Sequence, residues 1–200
     1  DDDLYLPNLV SKLKATTSFI DIGCNCGDTF FPCYSQNPNI MYYCIDPEKE
    51  FIDLFKKNIR NNKNKLNLEK VKISQNLIGN KLSGHLVGSM GSKKLVKEDS
   101  LDNIKSISIN EYVETNNVEN VSLIKIDTDG YDYNIISSGE EIISKNEPLV
   151  FFECYIPTKE QKESYLNILD NFKLLGYHDF CVFDNYGQLI TKHCNKEHLC

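Results

Sequence analysis

Apolar and polar positions along the chain form blocks that predict seven β-strands, with helical patterns between them. The strand-like runs are SFIDIG (18–23), IMYYCID (40–46), KVKIS (70–74), VSLIKID (121–127), PLVFFEC (148–154), HDFCVFD (178–184) and QLITK (188–192). The first, second, fourth and fifth runs are continuously apolar, which is typical of parallel strands buried on both faces. The NYG segment between the last two runs indicates a hairpin, so the last strand is expected to run antiparallel.

Three amphipathic segments between the strands predict helices. PEKEFIDLFKKNIRNN follows the second strand, with Asp46 as its N-cap and Pro47 at the first helical position. DGYDYNIISSGEEIISK is predicted as a helix with an isoleucine stripe, in which Asp129 and Asp132 fit the N-cap and N3 positions. TKEQKESYLNILDNFKLLG ends at Gly176, a favourable residue for a helix C-terminus.

The alternation of strands and helices predicts an α/β fold of the doubly wound, Rossmann-like kind. We expect a mostly parallel seven-stranded sheet with an antiparallel last strand and helices on both faces. The 200 residues, 40% of them hydrophobic, suit a single domain. Residues 1–17 form an N-terminal extension in this interpretation. Residues 76–105, rich in Gly and Ser, are predicted as an inserted loop or hairpin of the kind that often carries function.

Charge is distributed unevenly: the net charge of −7 divides into −6 over residues 1–55, +8 over 56–105 and −9 over 106–200. The basic middle segment is interpreted as a solvated helix face and loop, and a site for an anionic substrate is the weaker alternative. No nucleic-acid partner is expected, because the total is acidic and the chain has a single arginine. No apolar run is long enough to cross a bilayer and no cleavable signal is visible, so a cytoplasmic location is expected.

The eight cysteines predict reduced and mostly buried thiols. Cys44, Cys154 and Cys181 fall inside apolar strand-like runs, where a free cysteine behaves as a small hydrophobe. The tail HCNKEHLC also brings four zinc-compatible side chains together: His193, Cys194, His198 and Cys200. We expect no zinc there, because ligands so crowded at a terminus more often reflect chance.

The segment FIDIGCNCGDTF, at the end of the first strand, contains the pattern DxGxxxG. A dinucleotide site would instead have GxGxxG, whose backbone holds a pyrophosphate. Gly23 allows a sharp turn, and Gly27 allows the backbone to approach a ligand at the next helix. The carboxylate of Asp21 is expected to point at the mouth of the sheet, where it would repel phosphate and attract an ammonium or sulfonium group.

Asp46 ends the second strand 19 residues after Gly27. This is close to the ~20-residue spacing at which an acidic residue binds ribose hydroxyls, although an Asp before Pro is also a good N-cap. A ligand that combines a ribose, no phosphate and a cationic amino-acid end is S-adenosylmethionine. The sequence therefore predicts an S-adenosylmethionine site at this edge of the sheet.

Longer segments make the chain resemble the FkbM family of S-adenosylmethionine-dependent methyltransferases. FIDIGCNCGDTF resembles the first motif of the family, and CIDPEKEFIDLFKKNI resembles its second strand and helix. SISINEYVETNNVENVSLIKIDTDGYDYNIISSGEEI resembles the long central block, and EPLVFFEC resembles the fifth strand. The resemblance covers most of residues 18–155. It implies a class I methyltransferase fold as a single domain over residues 1–200, with the 76–105 insertion near the acceptor site.

The resemblance also implies a set of cofactor-binding residues. They are Asp21, Gly23, Cys24, Asn25, Gly27, Asp46, Pro47, Gln75, Asn76 and Asp127. The residues from the first motif are expected around the methionine end of the cofactor, Asp46 at the ribose and Asn76 at the adenine, where its amide offers both a donor and an acceptor.

The implied chemistry is an in-line displacement at the sulfonium methyl group, helped by a base that takes the proton of the attacking hydroxyl. The candidate bases, in order of preference, are Asp127, Glu153 and His85. Lys125 and Asp127 lie on the same side of a regular strand, so they are expected to pair. Glu153 ends an apolar strand, where an unpaired carboxylate is costly to bury, so it should face the cleft or have a partner.

The predicted function is O-methylation of a hydroxyl on a sugar, a glycan or a related metabolite, an acceptor class that rests on the resemblance alone. The alternatives are an N-methyltransferase and a catalytically inactive methyltransferase-fold binding module of a larger protein. A nicotinamide-dependent reductase is disfavoured by the missing GxGxxG and the early acid. Asp127 and Asp129 offer oxygen ligands of the kind that Mg²⁺ accepts, but no His joins them, so a metal is not favoured.

Overall fold

A parallel β-sheet of five strands forms the centre of the fold in the computed structural model, which describes residues 2–80, 83–89, 92–96, 104–156, 158–184 and 187–192. The strands within this part of the chain are β1 (Ser18–Ile22), β2 (Met41–Asp46), β3 (Val71–Gln75), β4 (Ser83–Ser89), β5 (Ser92–Val96), β6 (Ile104–Lys105), β7 (Val121–Ile126), β8 (Leu149–Phe152), β9 (Val182–Phe183) and β10 (Leu189–Thr191). The α-helices are α1 (Asp2–Val10), α2 (Phe30–Gln36), α3 (Lys49–Asn61), α4 (Ile109–Thr115), α5 (Asp132–Ser137), α6 (Glu140–Asn146) and α7 (Lys159–Leu174). Short 3₁₀ turns cover Lys63–Lys65 and Leu68–Lys70.

The order of the central strands is β3-β2-β1-β7-β8, and all neighbouring pairs are parallel. The chain extends outward on one side from β1 and then crosses to β7, so strand order reverses between these two strands. Alternate residues of β1 enter separate hydrophobic clusters on the two faces, with Phe19 in one cluster and Ile20 and Ile22 in the other. The α/β prediction is therefore confirmed, with ligand binding expected at the carboxyl ends of β1 and β7.

The predicted number of seven strands in the sheet is wrong. β9 and β10 pair antiparallel with each other and form a sheet of their own within the described residues. Both strands are short, and their pairing is local, with the Asp184 carboxylate accepting the N–H of Gln188 at 2.8 Å. In the described sheet β8 is consequently an edge strand, and Leu149 at its start is 51% exposed although its run is mostly apolar.

The region 76–105 contains a hairpin in which β4 and β5 pair antiparallel. His85 lies on β4 in register with Val96 of β5. β6 pairs with the beginning of β4, so the insertion contains a three-stranded sheet of its own. Residues 81, 82, 90, 91 and 97–103 of this region lie outside the described residues.

The helix after β2 begins later than predicted. α3 starts at Lys49 with Glu48 in the N-cap position, so Asp46 is not its N-cap and Pro47 is not its first residue. The physical reason is that the Asp46 carboxylate accepts two backbone N–H groups, one from Glu48 at 2.8 Å and one from Asn25 at 3.0 Å. These bonds hold an extended turn between strand and helix instead of a helix cap.

The single helix predicted after β7 is two short helices, α5 and α6. The break falls at Ser138 and Gly139, where α4 packs: the Ser138 hydroxyl accepts the N–H of Ile109 at 3.0 Å. A Cβ on Gly139 would lie 3.0 Å from the Ile109 side chain, so a larger residue here would require that side chain to shift. The isoleucines of the predicted stripe are nevertheless all buried: Ile135, Ile136, Ile142 and Ile143.

The start of α5 also differs from the prediction, because the N-cap position is occupied by Tyr131. Asp129 has a left-handed backbone with φ 52° and precedes the helix, and Asp132 is its first residue and not its third. Neither carboxylate therefore serves as the predicted helix cap.

Residues at the N-terminus contribute to the core, and the cysteines divide between core and surface. Leu6 and Val10 of α1 are fully buried in the same cluster as Phe19. Cys44 is buried as predicted, but Cys154 and Cys181 are exposed, because they flank the edge strand β8 and the small strand β9. The predicted zinc-compatible set in the tail, residues 193–200, lies outside the described residues.

Within the described part of the chain, no helix combines the length and the apolar character needed to cross a membrane.

Candidate functional site

A cleft lies at the carboxyl ends of β1, β2 and β7, where the reversal of strand order opens the sheet. It encloses about 950 Å³ of empty space, part of it open solvent. Its lining is strongly acidic: among the described residues, the carboxylates that line it are Asp28, Asp46, Glu48, Asp127 and Asp129, and the ammonium group is that of Lys125. Such a lining attracts cations and repels phosphate groups.

The two glycines of the first motif bring backbone segments into close contact around the cleft. Gly23 has φ +80°, and a Cβ at this position would lie 2.0 Å from the backbone oxygen of Asp127. The tips of β1 and β7 therefore touch backbone to backbone, which the hydrogen bond from Asp127 N–H to Ile22 O at 3.1 Å reinforces. Gly27 has φ +92°, and a Cβ there would lie 2.5 Å from the ring of Phe55.

Asp46 joins the tip of β2 to the loop after β1. Asn25, which has a left-handed backbone with φ 46°, donates its N–H to Asp46 Oδ2, while its own side-chain oxygen accepts the N–H of Cys26 at 2.7 Å. Burial raises the pKa of Asp46 to about 6, although the hydrogen bonds from Glu48 and Asn25 oppose the shift. Each oxygen of this carboxylate accepts one backbone bond, so each retains a lone pair for a ligand.

Lys125 lies at the floor of the cleft between two carboxylates. Its Nζ lies 3.3 Å from Asp21 Oδ1 and 3.4 Å from Asp127 Oδ2, and it donates to Gly23 O at 3.2 Å. Burial lowers the pKa of Lys125, but the charges of Asp21 and Asp127 outweigh this and raise it, so the amine is protonated. The predicted pairing of Lys125 with Asp127 is thus present in the structure.

Asp21 is placed differently from the prediction. The sequence predicts its carboxylate at the mouth of the sheet, but the residue is 1% exposed and ion-pairs with Lys125, which lines the cleft above it. Burial raises the pKa of Asp21, and the Lys125 ammonium opposes the rise. The first strand is buried along its whole length, so a side chain at this position enters the core and needs a counter-charge there.

The turn after β7 contains a buried carboxylate that sequence analysis did not single out for function. Asp132 is fully buried, and its Oδ2 accepts a hydrogen bond from the Thr128 hydroxyl at 3.0 Å. Its Oδ1 accepts the N–H of Glu153 at 3.3 Å, which ties the tip of β8 to this turn. Burial raises the pKa of Asp132 to about 7 against the effect of the Thr128 bond.

The structure brings most of the predicted cofactor residues together. Those that line the cleft are Gly23, Asn25, Asp46, Pro47, Asn76 and Asp127. Cys24 is buried beside the cleft floor, where burial raises the pKa of its thiol, and Gln75 is exposed and donates to Pro47 O at 3.2 Å. Of the candidate bases, Asp127 lines the cleft, while Glu153 is exposed just beyond β8.

Several cleft residues were not predicted as functional. Asp28, Glu48 and Thr128 all line the cleft, and Asp132 supports it from behind. A signal for Asp28 was available, because it directly follows the second motif glycine. The pairing of Thr128 with Asp132 depends on the turn geometry, which periodicity does not reveal.

In the described segments, no group of three or more His, Cys, Asp or Glu side chains is arranged to hold a metal ion.

Comparison with known proteins gives the family. The sequence pattern of the methyltransferase FkbM domain matches residues 21–178. The chain belongs to the FkbM methyltransferase family. No curated protein matches the chain in sequence.

Solved structures share the fold of this FkbM domain. An FkbM methyltransferase from Methylobacillus flagellatus KT is similar with a TM-score of 0.57 and 14% identity over 82% of this chain and 38% of that chain. A precorrin-6y C5,15-methyltransferase from Geobacter metallireducens GS-15 has a TM-score of 0.53 and 10% identity, over 94% of this chain and 80% of that one. A precorrin 8w decarboxylase from Methanobacterium thermoautotrophicum has a TM-score of 0.50 and 11% identity, over 95% and 86%. At these identities the likeness establishes the class I methyltransferase fold alone.

The chain spans 38% of the length of the Methylobacillus flagellatus protein. FkbM methyltransferases depend on S-adenosylmethionine, and the donor set of the cleft fits that cofactor. Asp46 offers carboxylate lone pairs for ribose hydroxyls, Asn76 offers an amide for a base, and the acidic lining suits a ligand with a sulfonium and no phosphate.

Proposed function

We propose that this FkbM domain transfers a methyl group from S-adenosylmethionine to a hydroxyl of a sugar, a glycan or a related polyol. The observation that supports it best is the position of Asp46, a 6% exposed carboxylate that lines the cleft at the tip of β2. Its orientation is set by two backbone N–H groups before any ligand binds. Such preorganisation favours binding, because little side-chain freedom is lost when ribose hydroxyls donate to it.

The remaining cofactor contacts follow from the arrangement around Asp46. Apolar side chains that line the same end of the cleft, Phe51, Leu77 and Ile78, supply a surface for the adenine ring, and Asn76 supplies polar contacts to its edge. The loop from Gly23 to Gly27 approaches the methionine end through its backbone. When bound, the cofactor supplies an electrophilic methyl group on a sulfonium.

The acceptor half of the cleft lies at the end of β7. Asp127 and Asp129 line it, and carboxylates accept hydrogen bonds from the hydroxyls of a sugar. Tyr131 lines the same part and offers an aromatic surface for the apolar face of a sugar ring. The charge of this region disfavours phosphorylated acceptors, so a neutral hydroxyl compound is the preferred class.

The acidic lining also suits an acceptor with an ammonium group, so methylation of an amine is the second candidate. The two candidates differ in the protonation that they require. An amine must lose its proton before it attacks, and a cleft rich in carboxylates stabilises the protonated form. This argument favours the hydroxyl acceptor.

The test is a methyl-transfer assay with S-adenosylmethionine carrying a labelled methyl group. Methyl α-glucoside, glucosamine and glucose 6-phosphate form a matched set, being neutral, cationic and anionic hexose derivatives. We expect labelled O-methyl product from the neutral glycoside and little from the phosphate, with S-adenosylhomocysteine formed in equal amount. A wider set of neutral glycosides and oligosaccharides is then tested in the same assay.

Other outcomes point elsewhere. Label on nitrogen alone would select the N-methyltransferase. Binding of S-adenosylmethionine, detected as a thermal shift, without transfer to any acceptor would favour a binding module. A shift with NAD and none with S-adenosylmethionine would overturn the methyltransferase proposal.

A further inference from the structure

A hydrogen-bonded pair at the acceptor half of the cleft, one member of which is fully buried, has no role in the function proposed above. Thr128 lines the cleft, and its hydroxyl donates to the carboxylate of Asp132 at 3.0 Å. We propose that Thr128 and Asp132 form a proton relay, in which Thr128 accepts the proton of the acceptor hydroxyl and passes its own proton to Asp132. The proposal rests on the proposed O-methyltransferase function and adds the residues that remove the proton.

The geometry gives Thr128 the orientation that a relay needs. A hydroxyl has one hydrogen and two lone pairs. Because the hydrogen of Thr128 is committed to Asp132, its lone pairs remain for a donor in the cleft. Asp132 is fixed in turn, since its other oxygen accepts the N–H of Glu153 at 3.3 Å and its side chain is fully buried. The Thr128 oxygen is thus held in a fixed position, where it can accept a hydrogen bond from the hydroxyl that is to be methylated.

Asp127, the base preferred from the sequence, is less suited to accept the proton. Its carboxylate is already the partner of a cation, since Oδ2 lies 3.4 Å from the Lys125 ammonium. Protonation of Asp127 would leave Lys125 with Asp21 as the remaining anion of the three-residue cluster. Asp127 therefore positions the acceptor, while Asp132 is free of any cation contact in the described structure.

The electrostatic surroundings of Asp132 support a proton acceptor that works near neutral pH. The groups that face it are Asp127 from the end of β7, Glu153 from the end of β8 and Tyr165 from α7. Burial raises the pKa of Asp132 to about 7, and the charges of Asp127 and Glu153 act in the same direction. Tyr165 donates its hydroxyl to Glu153 O at 3.0 Å. A pKa close to the working pH is the most effective value for a general base.

The step balances in atoms and charge. The acceptor oxygen forms a bond to the methyl carbon as the carbon–sulfur bond breaks. The two electrons of the broken carbon–sulfur bond stay on sulfur. The acceptor proton moves to Thr128 Oγ1, and the Thr128 proton moves to Asp132 Oδ2. One positive charge is lost at sulfur and one negative charge at Asp132. After the product leaves, the proton returns through Thr128 to the solvent in the cleft.

The test compares Asp132→Asn, Thr128→Val and Thr128→Ser with the wild type, using the methyl α-glucoside assay and its neutral glycoside panel. We expect Asp132→Asn and Thr128→Val to lose about 10²–10⁴-fold in kcat, and Thr128→Ser to recover most of the rate. The wild-type rate should fall about tenfold for each pH unit below about 7, and this slope should vanish in Asp132→Asn. Binding of S-adenosylmethionine, measured by calorimetry, should stay within about twofold in all variants.

A purely structural role for Asp132 predicts something else. Asparagine also accepts a hydrogen bond from Thr128, so Asp132→Asn would then keep the rate and the pH slope, and the relay would be overturned. If Asp132→Asn does not fold, Thr128→Val decides, because it removes the hydroxyl and keeps the shape.

An acceptor-free measurement separates this proposal from the proposed function. The ¹³C carboxyl resonance of Asp132, assigned by its absence in Asp132→Asn, should titrate near neutral pH and shift in Thr128→Val. If none of the sugar acceptors is methylated, the proposed function fails. The titration of the Asp132 carboxyl then still tests whether Asp132 can take up a proton near neutral pH. A resonance that titrates in the ordinary range of aspartate overturns the relay.

Discussion

The Nζ atom of Lys125 lies 3.3 Å from Oδ1 of Asp21, and both side chains are almost entirely buried, at 2% and 1% exposure. The pair sits under the cleft, at the point where β1 and β7 lie side by side in register. It converts a buried carboxylate, costly by itself, into part of a compensated cluster that also includes Asp127.

Removal of the cation should destabilise the fold strongly. In Lys125→Met, the Asp21 carboxylate remains buried without its counter-charge, and we expect a loss of about 3–5 kcal/mol in the free energy of unfolding. The double variant Lys125→Met/Asp21→Asn should recover much of this loss, because no fully buried charge then remains to be compensated, the Asp127 side chain being 43% exposed. Urea denaturation of the two single variants and the double variant measures the coupling. Additive effects would show that the contact contributes little.

Replacement of Gly23 should disturb both the fold and the cleft. In Gly23→Ala, the new methyl group would overlap the Asp127 oxygen, 2.0 Å away, and the backbone would be strained at φ +80°. Gly176→Ala is a matched control, since Gly176 has φ +93° but nothing within 4 Å of a new Cβ. We expect about 1–2 kcal/mol of destabilisation for the control, from backbone strain alone, and at least twice that for Gly23→Ala. Similar melting temperatures for the two variants would contradict the close contact of the strand tips.

Binding of S-adenosylmethionine should depend on the ionisation of Asp46. Since burial raises the pKa of Asp46 to about 6, the apparent Kd should rise about fourfold between pH 7.5 and pH 5.5 if the carboxylate form binds. Asp46→Asn should bind about 10–100-fold more weakly, because a charge-assisted hydrogen bond is lost, and its affinity should not vary with pH. Asp53→Asn, an exposed acid on α3 paired with Lys49, is the control and should bind normally. Calorimetry at both pH values checks these expectations.

Stability should fall as Asp132 ionises. The pKa of this group is raised from 3.8 to about 7 in the folded state, so the folded protein holds the proton more tightly than the unfolded chain. Its contribution is fully present below pH 4 and is lost as the pH rises through about 7, a change on the order of 4 kcal/mol. In Asp132→Asn this part of the pH dependence should be absent. Asp46 is present in both proteins, so the difference between their stability curves from pH 4 to pH 7 reports the contribution of Asp132. Parallel stability curves for the two proteins would refute the assignment.

The central strands could be predicted from the sequence because they are buried on both faces, and such strands appear in the sequence as runs of mostly apolar residues. The runs SFIDIG and VSLIKID are mostly apolar, and the structure buries both strands almost completely, including the charged Asp21 and Lys125. PLVFFEC was also correctly predicted as a strand, but the structure leaves it partly exposed, because an apolar run does not show how many neighbouring strands it pairs with. β8 has one neighbour within the described sheet, and the strand count was therefore too high.

The candidate site was predictable where spacing along the chain determines position. Asp46 and the motif glycines follow strand ends, and strand ends meet at one edge of a parallel sheet. The depth of a side chain is a different matter: Asp21 and Asp127 both lie at strand ends, yet one is buried and the other is 43% exposed along its side chain. The contact of Asp132 with Thr128 escaped prediction because it depends on a turn with two consecutive residues of positive φ, Asp129 and Gly130.

The C-terminal hairpin, β9 and β10, shares no hydrogen-bonded ladder with the central sheet in the described part of the chain. Its few backbone bonds can open without breaking any bond of the strands that carry the cleft. Amide hydrogens of Val182 and Phe183 are therefore expected to exchange with deuterium far faster than those of Ile20 and Ile124. The cleft keeps its shape during these openings, so local melting at this end of the chain leaves the domain competent to hold its ligand.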